Sequence, residues 1–467
     1  MITKEQLVAI GVENLADIIL SLYESNDDIK KQLNIMVAGS NEDPKKIISL
    51  IKKELNSLKK STKFIDYYGC NQLAERLDQL RLYIIKDLMP KSPTEAMELM
   101  LDFLNLHENT INRVDDSNGS VSYSFVAACS DLGKIYEEVP KSIEEIVELV
   151  FTRFMSDEYG VYDQLIQNFK NALKGEGLSL LKTKIQGAFN EKTVNKVQQG
   201  LKSIADCQND VEAYINACLL TTDKLSAYEH LEVARRFIKQ WKGKEALQWI
   251  NEIDLTQNPN RNNDYHQLKI QAFELSGEYD KAQQERLTWF EESLYPDVYG
   301  QILSHAKPEF KESFKLKAIE QAFNFKYTST ALEFLIQAQE FEEAIKFTYL
   351  KLDQINGEQY HTLRPAADIF RKIDPLAATL LYRKMLQSIV DRAKSKYYNY
   401  AAKDLITCKN LSSEITNWGI YDDHDKYLQV LQVTHKRKVG FWREYEIALQ
   451  KQIAKESKQS AKKKREL

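Results

Sequence analysis

Glycine and proline are scarce in this chain, at 16 and 9 of 467 residues, against ordinary frequencies of about 7% and 5%. Sheets need those residues at hairpins and bulges, so an extensive sheet is excluded and helices are favoured. Cysteine is also sparse. Cys70, Cys129, Cys207, Cys218 and Cys408 are odd in number, far apart and in no C-x-x-C pair, which argues against a disulfide framework or a zinc site. They read as buried thiols in a reducing compartment, and no metal or cofactor is expected. No run of about 18 apolar residues occurs, and Met1-Ile-Thr-Lys-Glu-Gln6 carries charge where a signal peptide would be apolar, so a cytoplasmic protein is expected. A net charge of −4 and a pI near 6.1 lack the strongly basic field that draws a whole domain to nucleic acid or membrane.

What is present is helical punctuation. Ser92-Pro-Thr-Glu95, Ser142-Ile-Glu-Glu145 and Asn209-Asp-Val-Glu212 have the spacing of capping boxes, and Asp43-Pro44 and Asp374-Pro375 pair a cap with a first-turn proline. In each, a short polar side chain can accept the unpaired N–H groups of the first helical turn. Apolar residues then recur at helical spacing, as in Ile143, Ile146, Val147, Val150, Phe151 and Phe154. The alternating stretch Ser120–Val126 follows the turn Asp115-Asp-Ser-Asn-Gly119 and leads straight into a helical run, so it reads as a helix start.

From about residue 225 the texture becomes one of short hairpins. Gly277-Glu-Tyr-Asp-Lys-Ala282 carries the turn glycine, aromatic and alanine of a tetratricopeptide (TPR) hairpin, Gln339-Glu-Phe-Glu-Glu-Ala344 lacks only the glycine, and Gly243-Lys-Glu-Ala246 is a shortened form. A small residue at that point lets two helices approach closely. Ala246 and Ala282 lie 36 residues apart, near the TPR period of about 34, whereas Ala344 falls out of phase. The expectation is an all-α chain: an N-terminal helical domain over 1–174, connecting helices over 178–224, a TPR-like α-solenoid of stacked hairpins over 225–445, and a basic, disordered tail over 446–467. The polar, breaker-rich Lys174–Gly177 marks the first boundary, and Thr256–Asn263 a long loop between hairpins.

Tyr327 to Trp442, with Leu380-Leu-Tyr-Arg383, Tyr400-Ala-Ala402 and His435-Lys-Arg-Lys438 before Phe441, resembles the helical region that follows the zinc module of bacterial SWIM zinc-finger proteins. The zinc motif itself is absent. Through Asp115–Gly119 and Tyr159-Gly-Val-Tyr-Asp163 the whole chain also resembles a bacterial family known only as a domain of unknown function, and that resemblance implies no activity.

Asp115, Asp116 and Asn118 could form a polar junction with Tyr159, Tyr162 and Asp163, a candidate binding surface; the turn misses the EF-hand pattern and is more simply a helix connection. Asp422-Asp-His-Asp425 lacks the further ligands of a metal phosphohydrolase and reads as a helix cap. Arg261-Asn-Asn-Asp-Tyr-His266 resembles the signature of helical HEPN ribonucleases, which implies His266 as general base and Arg261 as the group stabilising phosphate charge. His435–Arg443 interleaves basic and aromatic residues but reads as the closing helix of the array. Lys462, Lys463, Lys464 and Arg465 form the one basic run, able to add a weak phosphate contact. The reading that results is a non-enzymatic scaffold binding a protein or peptide partner in a groove within residues 225–440, with the ribonuclease or a weak nucleic-acid binder as alternatives.

Overall fold

The computed structural model describes residues 3–39 and 44–463. Those residues are all-helical, with Ile65 and Val114 forming the one isolated bridge among them. No described helix is long and apolar enough to cross a membrane. The chain divides into two compact units, residues 1–241 with 248–254, and residues 242–247 with 255–467.

In the first unit the helices Pro93–Leu104, Ser120–Glu138, Ile143–Met155, Lys170–Gly187 and Val194–Gln208 enclose Phe103, Phe125, Phe154 and Phe169, all fully buried. Each such side chain contributes about 1.5–3 kcal/mol of hydrophobic stabilisation. Gly133 is required where the helix Ser120–Glu138 crosses the short helix Leu165–Asn168, because a Cβ there would sit 2.2 Å from the Asn168 carbonyl oxygen. Ser120 does begin a helix, and Ser142 and Glu145 close a reciprocal capping box. Ser92 behaves differently: its hydroxyl is taken by Glu95 and caps no backbone N–H. At the third box the cap moves one residue on, to Asp210, while Asn209 adopts a left-handed conformation with φ 52°. Asp43 lies outside the described residues.

The breaker-rich Lys174–Gly177 does interrupt the helical backbone: Lys174 takes φ 54° and ψ −169°, and two helices meet there across a kink. Gly177 is buried just after the kink, where a Cβ would meet Ile143 and Leu173 at 3.2 Å. Gly177 thus serves close packing, while Gly175 is exposed with open space around it, and the division between compact units falls further on, between residues 241 and 255.

In the second unit, neighbouring helices pack in sequence order. Asn262–Leu275 lies on Tyr279–Ser293, Thr328–Gln337 on Phe341–Lys351, and Tyr360–Phe370 on Pro375–Asp391, which in turn packs on Tyr398–Ser412. Ala246, Ala282 and Ala344 are each fully buried. Asp374 caps its helix through the Ala377 N–H at 2.9 Å. The helix Val439–Lys463 packs on Tyr398–Ser412 and buries Phe441 completely. It continues through most of the segment expected to fray, since Lys, Gln, Ala and Glu are strong helix formers even without an apolar face.

Candidate functional site

The first turn of the helix Ser120–Glu138 has no intrahelical acceptors for its N–H groups, and Asp116 supplies them. Its carboxylate accepts from the Val121 N–H at 2.9 Å, the Ser122 N–H at 2.8 Å and the Ser122 hydroxyl at 2.7 Å. Asn118 accepts from the Ser120 N–H at 3.1 Å and donates to Asn71 at 3.0 Å. Asp115 accepts the Ser117 hydroxyl, and its backbone holds the Ile65 carbonyl and the Cys70 thiol at 2.9 and 3.1 Å. The turn is thereby tied to residues 65–71.

Tyr159 and Tyr162 are organised around another residue, His107, which sequence reasoning passed over. Both rings stand edge-on to the buried imidazole, at centroid distances of 6.0 and 5.4 Å. His107 Nδ1 bonds to the Leu104 carbonyl at 2.8 Å, the Tyr159 hydroxyl donates to Asn112 at 3.0 Å, and Arg153 donates to the Tyr162 hydroxyl at 3.2 Å. Burial pushes the Tyr162 phenol up to about 12. Asp163 ion-pairs with Lys196 at 3.1 Å. The two segments therefore have separate anchors, one on residues 65–71 and one on His107, Arg153 and Lys196, and their polar atoms are engaged in packing contacts.

His266 is only 2% exposed. Its Nδ1 lies 2.7 Å from Glu285 and its Nε2 3.3 Å from Glu292, and its ring stacks on Trp289. Burial alone would raise the Glu285 carboxyl; the hydrogen bond from His266 and the Lys269 ammonium at 3.1 Å outweigh it and hold the group below the usual carboxylate range. Arg261 is half-buried and immediately precedes the helix Asn262–Leu275. A general base needs a lone pair turned toward substrate, whereas both nitrogens of His266 face carboxylates of its own fold. Asp423 caps the helix His424–Thr434 through the Lys426 N–H at 2.8 Å, as its sequence suggests. Lys462 and Lys463 end the helix Val439–Lys463; Lys464 and Arg465 lie outside the described residues.

Two hollows lie beside the same helices. Leu294, with φ 54°, ends the helix Tyr279–Ser293 in a left-handed turn, and Pro296 opens the helix Pro296–His305, which leaves Tyr295 projecting at the junction. The side-chain amide of Asn263 donates to the Tyr295 hydroxyl at 3.1 Å, and the Trp289 indole N–H donates to Asn263 at 3.4 Å. On one side of this ridge is a hollow of ≈ 620 Å³ lined in part by Gln267, Gln271, Arg286, Asp297 and Gln301. On the other is a hollow of ≈ 410 Å³ lined in part by Asn260, Asn262, Glu292, Phe325 and Tyr327. Asn263, Gln267 and Gln271 follow one another at a spacing of four, which places three carboxamides on one helix face. That periodicity was visible in the sequence; the aromatic residues opposite it come from distant segments and were not.

No curated protein matches the chain. A family profile described as a family of unknown function (DUF6880) matches residues 1–199 and 190–444. The two matches together span most of the sequence, and the chain belongs to this family.

Proposed function

We propose that the protein is a non-enzymatic scaffold whose residues 225–445 form a TPR-like solenoid, and that it holds an extended segment of a protein partner across the ridge formed by Asn263 and Tyr295. The pair of carboxamide-lined hollows carries this reading. An extended peptide presents an N–H and a C=O at each residue, and a carboxamide side chain offers a donor and an acceptor to match. The Tyr295 hydroxyl accepts from Asn263 and keeps its own proton for an acceptor. Hollows of ≈ 620 and ≈ 410 Å³ suit side chains of a bound segment, since ligand pockets commonly run about 300–1,000 Å³. The buried Ala246, Ala282 and Ala344 support close helix pairs of the TPR kind. All five cysteines are free and buried, which suits a reducing cytoplasm.

A photo-crosslinking amino acid placed at Gln301, which lines the larger hollow, tests the reading in the host. Cross-linking there to a discrete partner is expected, with none from the same group at Tyr68, a residue 87% exposed in the first unit. Equal labelling at both positions, or none at Gln301, would overturn it.

A further inference from the structure

We infer that the segment held in this groove is basic, an extended peptide carrying Lys or Arg side chains whose cations are received by Asp297 and Glu292. The inference rests on the peptide-binding reading above and names its partner's chemistry. Residues 262–300 contain eight carboxylates and three cations, a net −5 in a chain whose total is −4. Electrostatic attraction is screened over about 8 Å at physiological salt, so this local excess governs what the groove attracts.

The three cations of the segment are already committed. Lys269 pairs with Glu285 at 3.1 Å, Lys281 with Glu278, and Arg286 with Glu274. On the groove side, Asp297 is exposed on the first turn of the helix Pro296–His305 and makes no ion pair among the described residues. Glu292 is exposed at the other hollow, where Asn262 donates to it at 3.0 Å beside His266. Each hollow thus has an exposed carboxylate at its wall. Tyr295, 40% exposed, borders both hollows, and an aromatic face accepts both the methylene stems and the charged heads of Lys and Arg. An acidic segment or a nucleic-acid backbone would meet the same carboxylates as repulsion.

The test uses three labelled peptides of equal length in which every third residue is Lys, Glu or Gln, titrated with the full chain and followed by fluorescence anisotropy at low and high salt. The Lys peptide is expected to bind about tenfold or more tighter than the Gln peptide, and to weaken with salt. Asp297→Lys should cost the Lys peptide about tenfold and give the Glu peptide measurable binding. Asp297→Asn, which keeps the shape, should give an intermediate loss with an unchanged circular dichroism spectrum. Equal binding of the Lys and Gln peptides, or Lys-peptide binding indifferent to both Asp297 variants, overturns the inference. If no peptide binds while the cross-link at Gln301 persists, the basic partner is wrong and the groove stands; if both are absent, the groove reading falls with it.

Discussion

The guanidinium of Arg383 lies 4.1 Å over the ring of Tyr427, joining the helix Pro375–Asp391 to the helix His424–Thr434. It donates to the carbonyls of Asp422 and Asp423 at 2.7 and 3.2 Å, with Trp418 also within 5.0 Å. Arg383 is buried, and burial lowers it from its ordinary value. The planar fork serves two carbonyls and an aromatic face together, a geometry that a lysine ammonium does not reproduce. Arg383→Lys should therefore destabilise the second unit by about 2–4 kcal/mol. Thermal unfolding measures the loss, and faster amide exchange over residues 413–434 would locate it.

Next to this contact, His424 is buried and neither ring nitrogen has a hydrogen-bond partner. Burial first, and then the Arg383 charge, depress its pKa below the ordinary 6.5; Lys409 acts in the same direction, while Asp423 and Asp425 oppose it. Protonation thus favours the unfolded chain. The contribution of His424 to stability is complete above the unfolded value and is lost as pH falls below it. Melting temperature should begin to drop as pH falls through the ordinary imidazole value of about 6.5, and His424→Phe should make that drop shallower. An identical pH slope in both proteins would show that His424 is not responsible.

Asp116 makes three hydrogen bonds to the start of the helix Ser120–Glu138, so Asp116→Ala should cost about 1–2 kcal/mol, as expected for a lost cap. Asp116→Asn keeps one acceptor oxygen and should cost less. Asp163→Ala removes only a partly exposed pair with Lys196 and should change stability by less than about 1 kcal/mol. Partner capture per folded molecule should be the same in all three. Loss of capture by folded Asp116→Ala protein would make the turn a binding element.

Helix starts were legible because their chemistry is local. The box of Ser142 and Glu145 forms within four residues, and the box of Ser226 and Glu229 carries the same signal. The packing role of Gly177 was hidden because the reason for it lies at Ile143, more than thirty residues upstream. The carboxamide stripe Asn263, Gln267, Gln271 was readable as a polar helix face, but its significance depends on Tyr295, Gln301 and Gln337 across the hollow, contacts that no local pattern encodes. For the same reason His107 gave no sign of its place between two tyrosines.

His266 shows how such distant contacts change an expectation. From sequence alone it could be an exposed base beside Arg261 or an incidental residue free to vary, and the fold places it in neither position. At 2% exposure, between Glu285 and Glu292 and stacked on Trp289, the ring fills space and pairs with charge. Removing it leaves the largely buried Glu285 carboxylate with Lys269 alone and opens a cavity against the indole. Large-to-small changes at buried sites cost about 2–4 kcal/mol, and an under-compensated buried charge adds to that. His266→Ala should therefore lower the melting temperature by several degrees, while His266→Gln, which retains hydrogen-bonding groups of similar reach, should recover part of the loss. RNA incubated with the wild-type protein should remain intact in both cases. Cleavage by the wild type that disappears in a folded His266→Gln protein would restore the ribonuclease reading and remove the scaffold.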